Sequence, residues 1–204
     1  MIMSKGYSCE FCCLEENSNP ILPDYLMDID IDGIHQGLIY RGDHYLVKPD
    51  ISPIVENHFL IIPKEHVFCM NSSDLYEYQS ELKMVKNRIM DYYHGLRKNY
   101  LFFEHGCCNE REAGSSCIHH AHLHAIPITD SQEKIVVCEV VKDLGMPIST
   151  ATDVVGMEYL YLETERFGSM YWIDNARHSQ FFRIVISKTI GDVKRSRWQN
   201  CLID

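Results

Sequence analysis

Apolar positions recur with strand-like spacing in short runs up to Pro63, and then shift to a helical period. Leu38 to Arg41 and Tyr45 to Lys48 are short β-prone runs joined across Gly42-Asp43, so a hairpin is expected there. His58-Phe-Leu-Ile-Ile62 predicts a further strand ending at Pro63. Leu75, Tyr78, Leu82, Val85, Ile89, Tyr92 and Leu96 are spaced by threes and fours, the apolar face of an amphipathic helix running to about Lys98. Ser72, Ser73 and Asp74 are its N-cap candidates. Tyr100 to Glu104 reads as strand, residues 106–116 as a polar loop, and Ile118 to Ile128 as the last core strand. Beyond Pro127 the pattern predicts a helix over 131–144, a hairpin from Tyr159–Glu163 and Met170–Ile173, and a helix from Ser179 to Ile190. No clean linker interrupts this region, so residues 131–204 are expected to pack as an extension on a core domain spanning 1–130.

Composition narrows the class. The chain has 204 residues, enough to bury a core without covalent staples. Twenty-nine acidic against 19 basic residues give a net charge of −10, so a long phosphate backbone meets net repulsion and non-specific nucleic-acid binding is disfavoured. A small anion needs only a local cluster of donors. The opening MIMSKGYSCEFCC lacks an apolar signal region, and no stretch has the length of a membrane span. The nine cysteines are therefore read as reduced thiols of a cytoplasmic protein, some of them on a metal. Residues 13–36, acidic and turn-rich, are expected to make an irregular excursion.

The informative chemistry lies in His119-His-Ala-His-Leu-His-Ala-Ile-Pro127. Along a strand, alternate side chains share a face, so His120, His122 and His124 line one side while Ala121, Leu123 and Ala125 enter the core. Same-face neighbours are roughly 6.5–7 Å apart, which lets flanking rings reach the oxygens of a phosphate whose phosphorus meets the middle ring. Three imidazoles on one face are costly to desolvate for packing alone. The pattern points to a phosphate site or a metal site.

His120-Ala-His122-Leu-His124-Ala-Ile resembles the signature of the histidine triad (HIT) superfamily, His-φ-His-φ-His-φ-φ. The upstream block Asp50-Ile-Ser-Pro53, followed by His58-Phe-Leu-Ile-Ile-Pro-Lys64-Glu-His66, is similar to that superfamily's other block, over residues 7–128 in all. Ser179-Gln180-Phe-Phe-Arg183 resembles, loosely, C-terminal extensions of longer members.

The resemblance implies an α+β fold, with an antiparallel five-stranded sheet, a long helix against it, and a C-terminal elaboration. It implies His122 as the nucleophile that attacks an α-phosphorus, and His124 as a donor to phosphate oxygens. It also implies Asp50 as acceptor for ribose hydroxyls; a local turn before Pro53 is the plainer role for that aspartate, and the two are compatible. Ile39, Tyr40 and Leu46 are candidates for the base pocket or for plain core. Histidine rather than glutamine at position 124 leans the reaction towards hydrolysis. Nucleotidyl transfer to another acceptor, or a nucleotide-binding or RNA-processing adaptor without turnover, are the alternatives. Family members are often homodimers, an arrangement that the extra segments could cover.

Cys9-Glu-Phe-Cys12 is a Cys-x2-Cys knuckle. Some HIT proteins resemble this chain in that pair and complete a structural zinc site with two histidines, which here correspond to His66 and His120. In that case His120 cannot also shuttle protons, although it stands in the triad; Cys13 is a competing ligand. Where relatives often carry Asn and Ser beside the phosphate, this chain has Glu104 and Ser115-Ser116. These three are candidates for the substrate side. A carboxylate at Glu104 would repel phosphate unless protonated or paired, and otherwise orients His122 or sits away from the ligand.

Overall fold

A computed structural model describes residues 9, 11–12, 38–106, 120–148, 150–173 and 180–197. The strands are β1 (Tyr40–Arg41), β2 (Tyr45–Pro49), β3 (Phe59–Pro63), β4 (Asn99–Gly106), β5 (Leu123–Ile128), β6 (Tyr159–Thr164) and β7 (Gly168–Ile173). The helices are α1 (Gln79–Gly95), α2 (Asp130–Leu144) and α3 (Phe181–Ile190). All strand pairs are antiparallel, in the order β1-β2-β3-β5-β4-β6-β7. The architecture is α+β, as the resemblance implied, but among the described residues the sheet has seven strands rather than five. The hairpin β6–β7 joins the core sheet by pairing β6 along β4 from Leu101 to Gly106. Both edges of β4 are thereby used within one chain. No helix of the described residues is long and apolar enough to cross a membrane.

The sheet is covered on both faces. On one, Tyr45, Val47, Ile61, Phe102, Leu123 and Ala125 pack against Leu82, Val85, Ile89 and Tyr93 of α1. On the other, Leu101, Phe103, Ile126, Leu160 and Leu162 pack against Val136, Val137 and Val140 of α2 and Phe182, Val185 and Ile186 of α3. Further along that second face, Leu46, Leu60 and Ile62 cluster with Cys9 and Phe11. His124 stands on this second face between the two clusters, because it alternates with Leu123 and Ala125.

Three expectations shift in detail. The helical stripe opens with a 3-10 turn over Ser73–Tyr78, where the Ser72 side chain accepts from the Asp74 amide, and only then becomes α-helix. Its last turns bury Tyr93 rather than Tyr92, which is 47% exposed. The Tyr93 hydroxyl lies 2.8 Å from the carbonyls of both Asn57 and Ala125, a polar anchor that apolar periodicity does not weigh. The last core strand begins at Leu123, five residues later than Ile118, whose own placement lies outside the described residues. The ladder between β3 and β5 ends at the pair Ile61–Leu123, and Pro63, the last residue of β3, has no N–H to extend it. The Ala121 amide donates instead to the Val67 carbonyl at 2.7 Å.

Candidate functional site

Although only His124 lies within β5, the three triad rings remain on one side of the extended chain. Ala121 and Leu123 point into the α1-side core, so residues 120, 122 and 124 face the other way. The rings of His122 and His124 meet edge to face with centroids 5.0 Å apart.

Hydrogen-bond partners fix which nitrogen of each neutral ring holds its proton. His122 Nδ1 lies 2.8 Å from the His120 carbonyl, which can only accept, so Nδ1 donates and Nε2 keeps a free lone pair. The Ile54 amide donates to His58 Nδ1 at 3.1 Å, so the His58 proton sits on Nε2. That nitrogen is 2.9 Å from His124 Nδ1 and donates to it. His124 therefore holds its own proton on Nε2. A backbone amide, through two imidazoles, turns His124 into an N–H donor beside the bare nitrogen of His122.

The surroundings favour neutral rings. Burial pulls the pKa of His58 and His124 well below the usual imidazole range; positive-charge repulsion from Arg183 and His122 adds to it on His58, and from His122, His58 and Arg183 on His124, where Asp50 opposes. Burial also lowers that of His122, against the bond to the His120 carbonyl. Phe103 lies flat on the His124 ring at 4.4 Å, and Phe182 of α3 backs Phe103 at 5.5 Å.

Asp50 is nearly buried at the end of β2. Its Oδ1 accepts from the Ser52 amide at 2.9 Å, the local turn that the sequence allowed. Its Oδ2 accepts from Arg183 of α3 at 3.1 Å and lies 3.4 Å from His58 Nδ1 and 3.7 Å from His124 Nδ1. The other terminal nitrogen of Arg183 donates to the Ser52 carbonyl and hydroxyl.

At the far end of the row, His120 turns away from phosphate chemistry. Its Nδ1 is 3.3 Å from Cys9 Sγ and 3.6 Å from Cys12 Sγ, while His66 Nδ1 is 3.3 Å from Cys12 Sγ. The four ligand atoms lie within 4.8 Å of one another. Bonds of about 2.3 Å to sulfur and about 2.0–2.1 Å to nitrogen in a tetrahedron place S and N roughly 3.6 Å apart, so the spacing fits zinc. His120 Nε2 donates to the Pro63 carbonyl at 2.7 Å, the outer contact that orients a ligating imidazole. A site closed by four protein ligands is structural. Phe11, between the two cysteines, sets its ring edgewise against His120 and His122, at 5.6 and 5.5 Å.

Several sequence candidates lie elsewhere. Glu104 is a correction: it is buried on the α1 face, accepting from the Met70 amide at 2.7 Å and from the Tyr159 hydroxyl, because β4 alternation puts Phe103, not Glu104, beside His124. Burial, partly offset by those two bonds, pushes its pKa up to about 7. Tyr40 also faces α1, with its hydroxyl near Glu81 and its ring under Arg88, and so does not line the triad side. Ile39 is 57% exposed. Leu46 is buried with Phe11 on the triad face. Ser115 and Ser116 lie outside the described residues. Two residues of the site carried no role in the sequence reading, His58 and Arg183. The first stood in view within the block Asp50–His66, as a histidine at the head of an apolar strand. The second pairs with Asp50 across 133 positions, and no local spacing announces such a contact.

Residues 40–140 match the family described as protein similar to CwfJ C-terminal. Among solved structures, a hypothetical histidine triad nucleotide-binding protein from Sulfolobus tokodaii is 17% identical, covering 91% of this chain and 94% of its own, with a TM-score of 0.42. A zinc-bound histidine triad family protein from Mycobacterium smegmatis is 23% identical over 60% of this chain and 76% of its own, with a TM-score of 0.40. A HIT family hydrolase from Clostridium thermocellum is 20% identical over 60% of this chain and 92% of its own, with a TM-score of 0.39. The His-φ-His-φ-His motif leads into an inner strand of an antiparallel sheet backed by a long helix, and in this the chain resembles the histidine triad superfamily.

Proposed function

We propose that the chain binds a nucleotide conjugate, such as a nucleoside phosphoramidate or dinucleoside polyphosphate, and hydrolyses it at the α-phosphorus through a nucleotidyl adduct on His122. The observation that carries this reading is the proton arrangement: a bare Nε2 on His122, fixed by the His120 carbonyl, next to an Nε2–H on His124. In the first step the His122 Nε2 lone pair forms the N–P bond while the bond from phosphorus to the leaving group breaks. The leaving group takes its proton from solvent, and His124 donates to the phosphoryl oxygens as charge builds. In the second step water adds to phosphorus, the N–P bond breaks, and the proton of the attacking water passes to solvent. Asp50 accepts from the ribose hydroxyls with the lone pairs that Ser52 and Arg183 leave. Zinc on Cys9, Cys12, His66 and His120 anchors the N-terminal knuckle and does not touch the substrate.

The test is a rapid quench of the protein with an adenylyl or guanylyl conjugate labelled at the α-phosphorus. An acid-labile, base-stable label on His122, lost at the rate at which free nucleoside monophosphate appears, is the expected result. A label discharged only by phosphate or a sugar phosphate reassigns the chain as a nucleotidyltransferase. Bound AMP or GMP with neither adduct nor turnover across the conjugate panel overturns the enzymatic reading in favour of an adaptor.

A further inference from the structure

The C-terminal helix enters the triad site at two points. Phe182 backs the Phe103 ring that lies on His124, and the guanidinium of Arg183, almost fully buried, spans Asp50 and Ser52. Asp50 is the acidic group beside both relay histidines, with its Oδ2 within 3.7 Å of the Nδ1 atoms of His58 and His124. A carboxylate in that place, left without a counter-charge, draws a proton onto one of those nitrogens. The consequence is geometric. A proton on His58 Nδ1 faces the Ile54 amide, which then has no acceptor, and a proton on His124 Nδ1 faces the proton on His58 Nε2. Either way the ordered chain from Ile54 to His124 breaks.

We infer that Arg183 is a positioning residue of the triad: by engaging Asp50 it keeps the His58–His124 pair neutral and in the tautomers that aim the His124 Nε2–H at the substrate. The charged and titratable groups that act on this pair are Asp50, Arg183 and His122. With Arg183 in place, Asp50 has a permanent cation at 3.1 Å, and the two rings share one ordered hydrogen bond instead of competing for the carboxylate. The fork to Ser52 fixes the guanidinium against the turn, so that the charge stays on the carboxylate rather than reaching into the phosphate position. The effect on catalysis rests on the hydrolase reading; the effect on the imidazoles does not.

The test compares the full chain with Arg183→Met and Arg183→Lys, using 15N spectra of the imidazole nitrogens at pH 7, where no substrate is needed. Wild-type protein is expected to show His58 and His124 as neutral rings protonated on Nε2. In Arg183→Met, with the melting temperature and metal content measured alongside, the pair takes up a proton. Turnover then falls by about a hundred-fold in kcat with little change in KM, as for a misdirected oxyanion donor. Arg183→Lys, which keeps the charge, retains the neutral pair. In an Asp50→Asn background, Arg183→Met leaves the rings as they were, because no carboxylate remains to compete.

Neutral Nε2–H rings in a folded Arg183→Met protein overturn the proposal, as does an equal change in the Asp50→Asn background. Should Arg183→Met not fold, the lysine variant decides: a protonated pair there overturns the assignment, and a neutral pair supports it. Spectra that behave as expected in a protein that forms no adduct sink the hydrolase reading alone.

Discussion

The two ends of the histidine row are held by different physics. At the His120 end, four soft ligands from three distant segments converge on one point, and the geometry suits a metal ion. At the His124 end there is no such cluster with thiols among the described residues; a flat aromatic contact, an imidazole relay and a buried ion pair from α3 do the holding. With a metal bound, the first end would be all-or-none. The second is a sum of modest terms, each dependent on the others. His122 stands between them, bonded to the backbone of the first and packed edgewise on the ring of the second.

The largest expected effect removes what both ends serve. His122→Ala should lower turnover by about a thousand-fold or more while nucleoside monophosphate binding, followed by calorimetry, stays within a few-fold. Equal loss of binding and turnover would show instead that His122 is a contact and not a nucleophile.

The next breaks the first end alone. Cys9→Ser should abolish stoichiometric zinc, read by atomic absorption, and cost on the order of 4 kcal/mol in denaturant unfolding. A variant that keeps both its metal and its stability would reduce the knuckle to an incidental cysteine pair.

A third separates both ends from the rest of the sheet. Glu104 has a folded-state pKa raised to about 7, above its value in an unfolded chain, so its contribution is complete in acid and is lost as pH rises from about 4.5 through 7. Relative to wild type, Glu104→Gln should therefore gain up to about 3 kcal/mol between pH 5 and pH 8 in chemical denaturation, at unchanged zinc content. The comparison with wild type is needed because His58 and His124, with lowered pKa values, push the other way and lose stability as pH falls below about 6.5. A difference that does not grow with pH contradicts a carboxylate whose burial outweighs its two hydrogen bonds.

The smallest concerns the second end. Phe182→Leu should cost about 1 kcal/mol and leave the metal in place, because a near-volume swap loosens the packing behind Phe103 without opening the ion pair. Loss of zinc in this variant would mean that the two ends are not independent.

The contrast also explains what the sequence could tell. The knuckle and the histidine row are spaced motifs, because their chemistry needs particular residue types at particular intervals, and the resemblance they carry implied Cys9, Cys12, His66 and His120 as one group before any coordinates. The resemblance implied the α+β architecture, and strand alternation gave the face on which the triad sits. Arg183 was visible only as part of a loose tail motif, because an ion pair between distant elements has no period. Glu104 was misassigned for a related reason. Its neighbourhood in sequence is the active-site strand, but strand alternation sends it to the α1 face, and a one-residue difference in parity decides which side a group serves. Tyr40 takes the plainer of the two roles open to it, packing against the α1-side core.

The relay from Ile54 to His124 begins at a peptide N–H. Such a group holds its hydrogen at any ordinary acidity, so the wire has a sealed inner terminus and a fixed polarity. Hydrogen cannot be passed inward through His58 to a reservoir, nor drawn outward from one. Any proton that His124 gives up at Nε2 must be restored from the edge of the ring turned away from His58, and not through the relay.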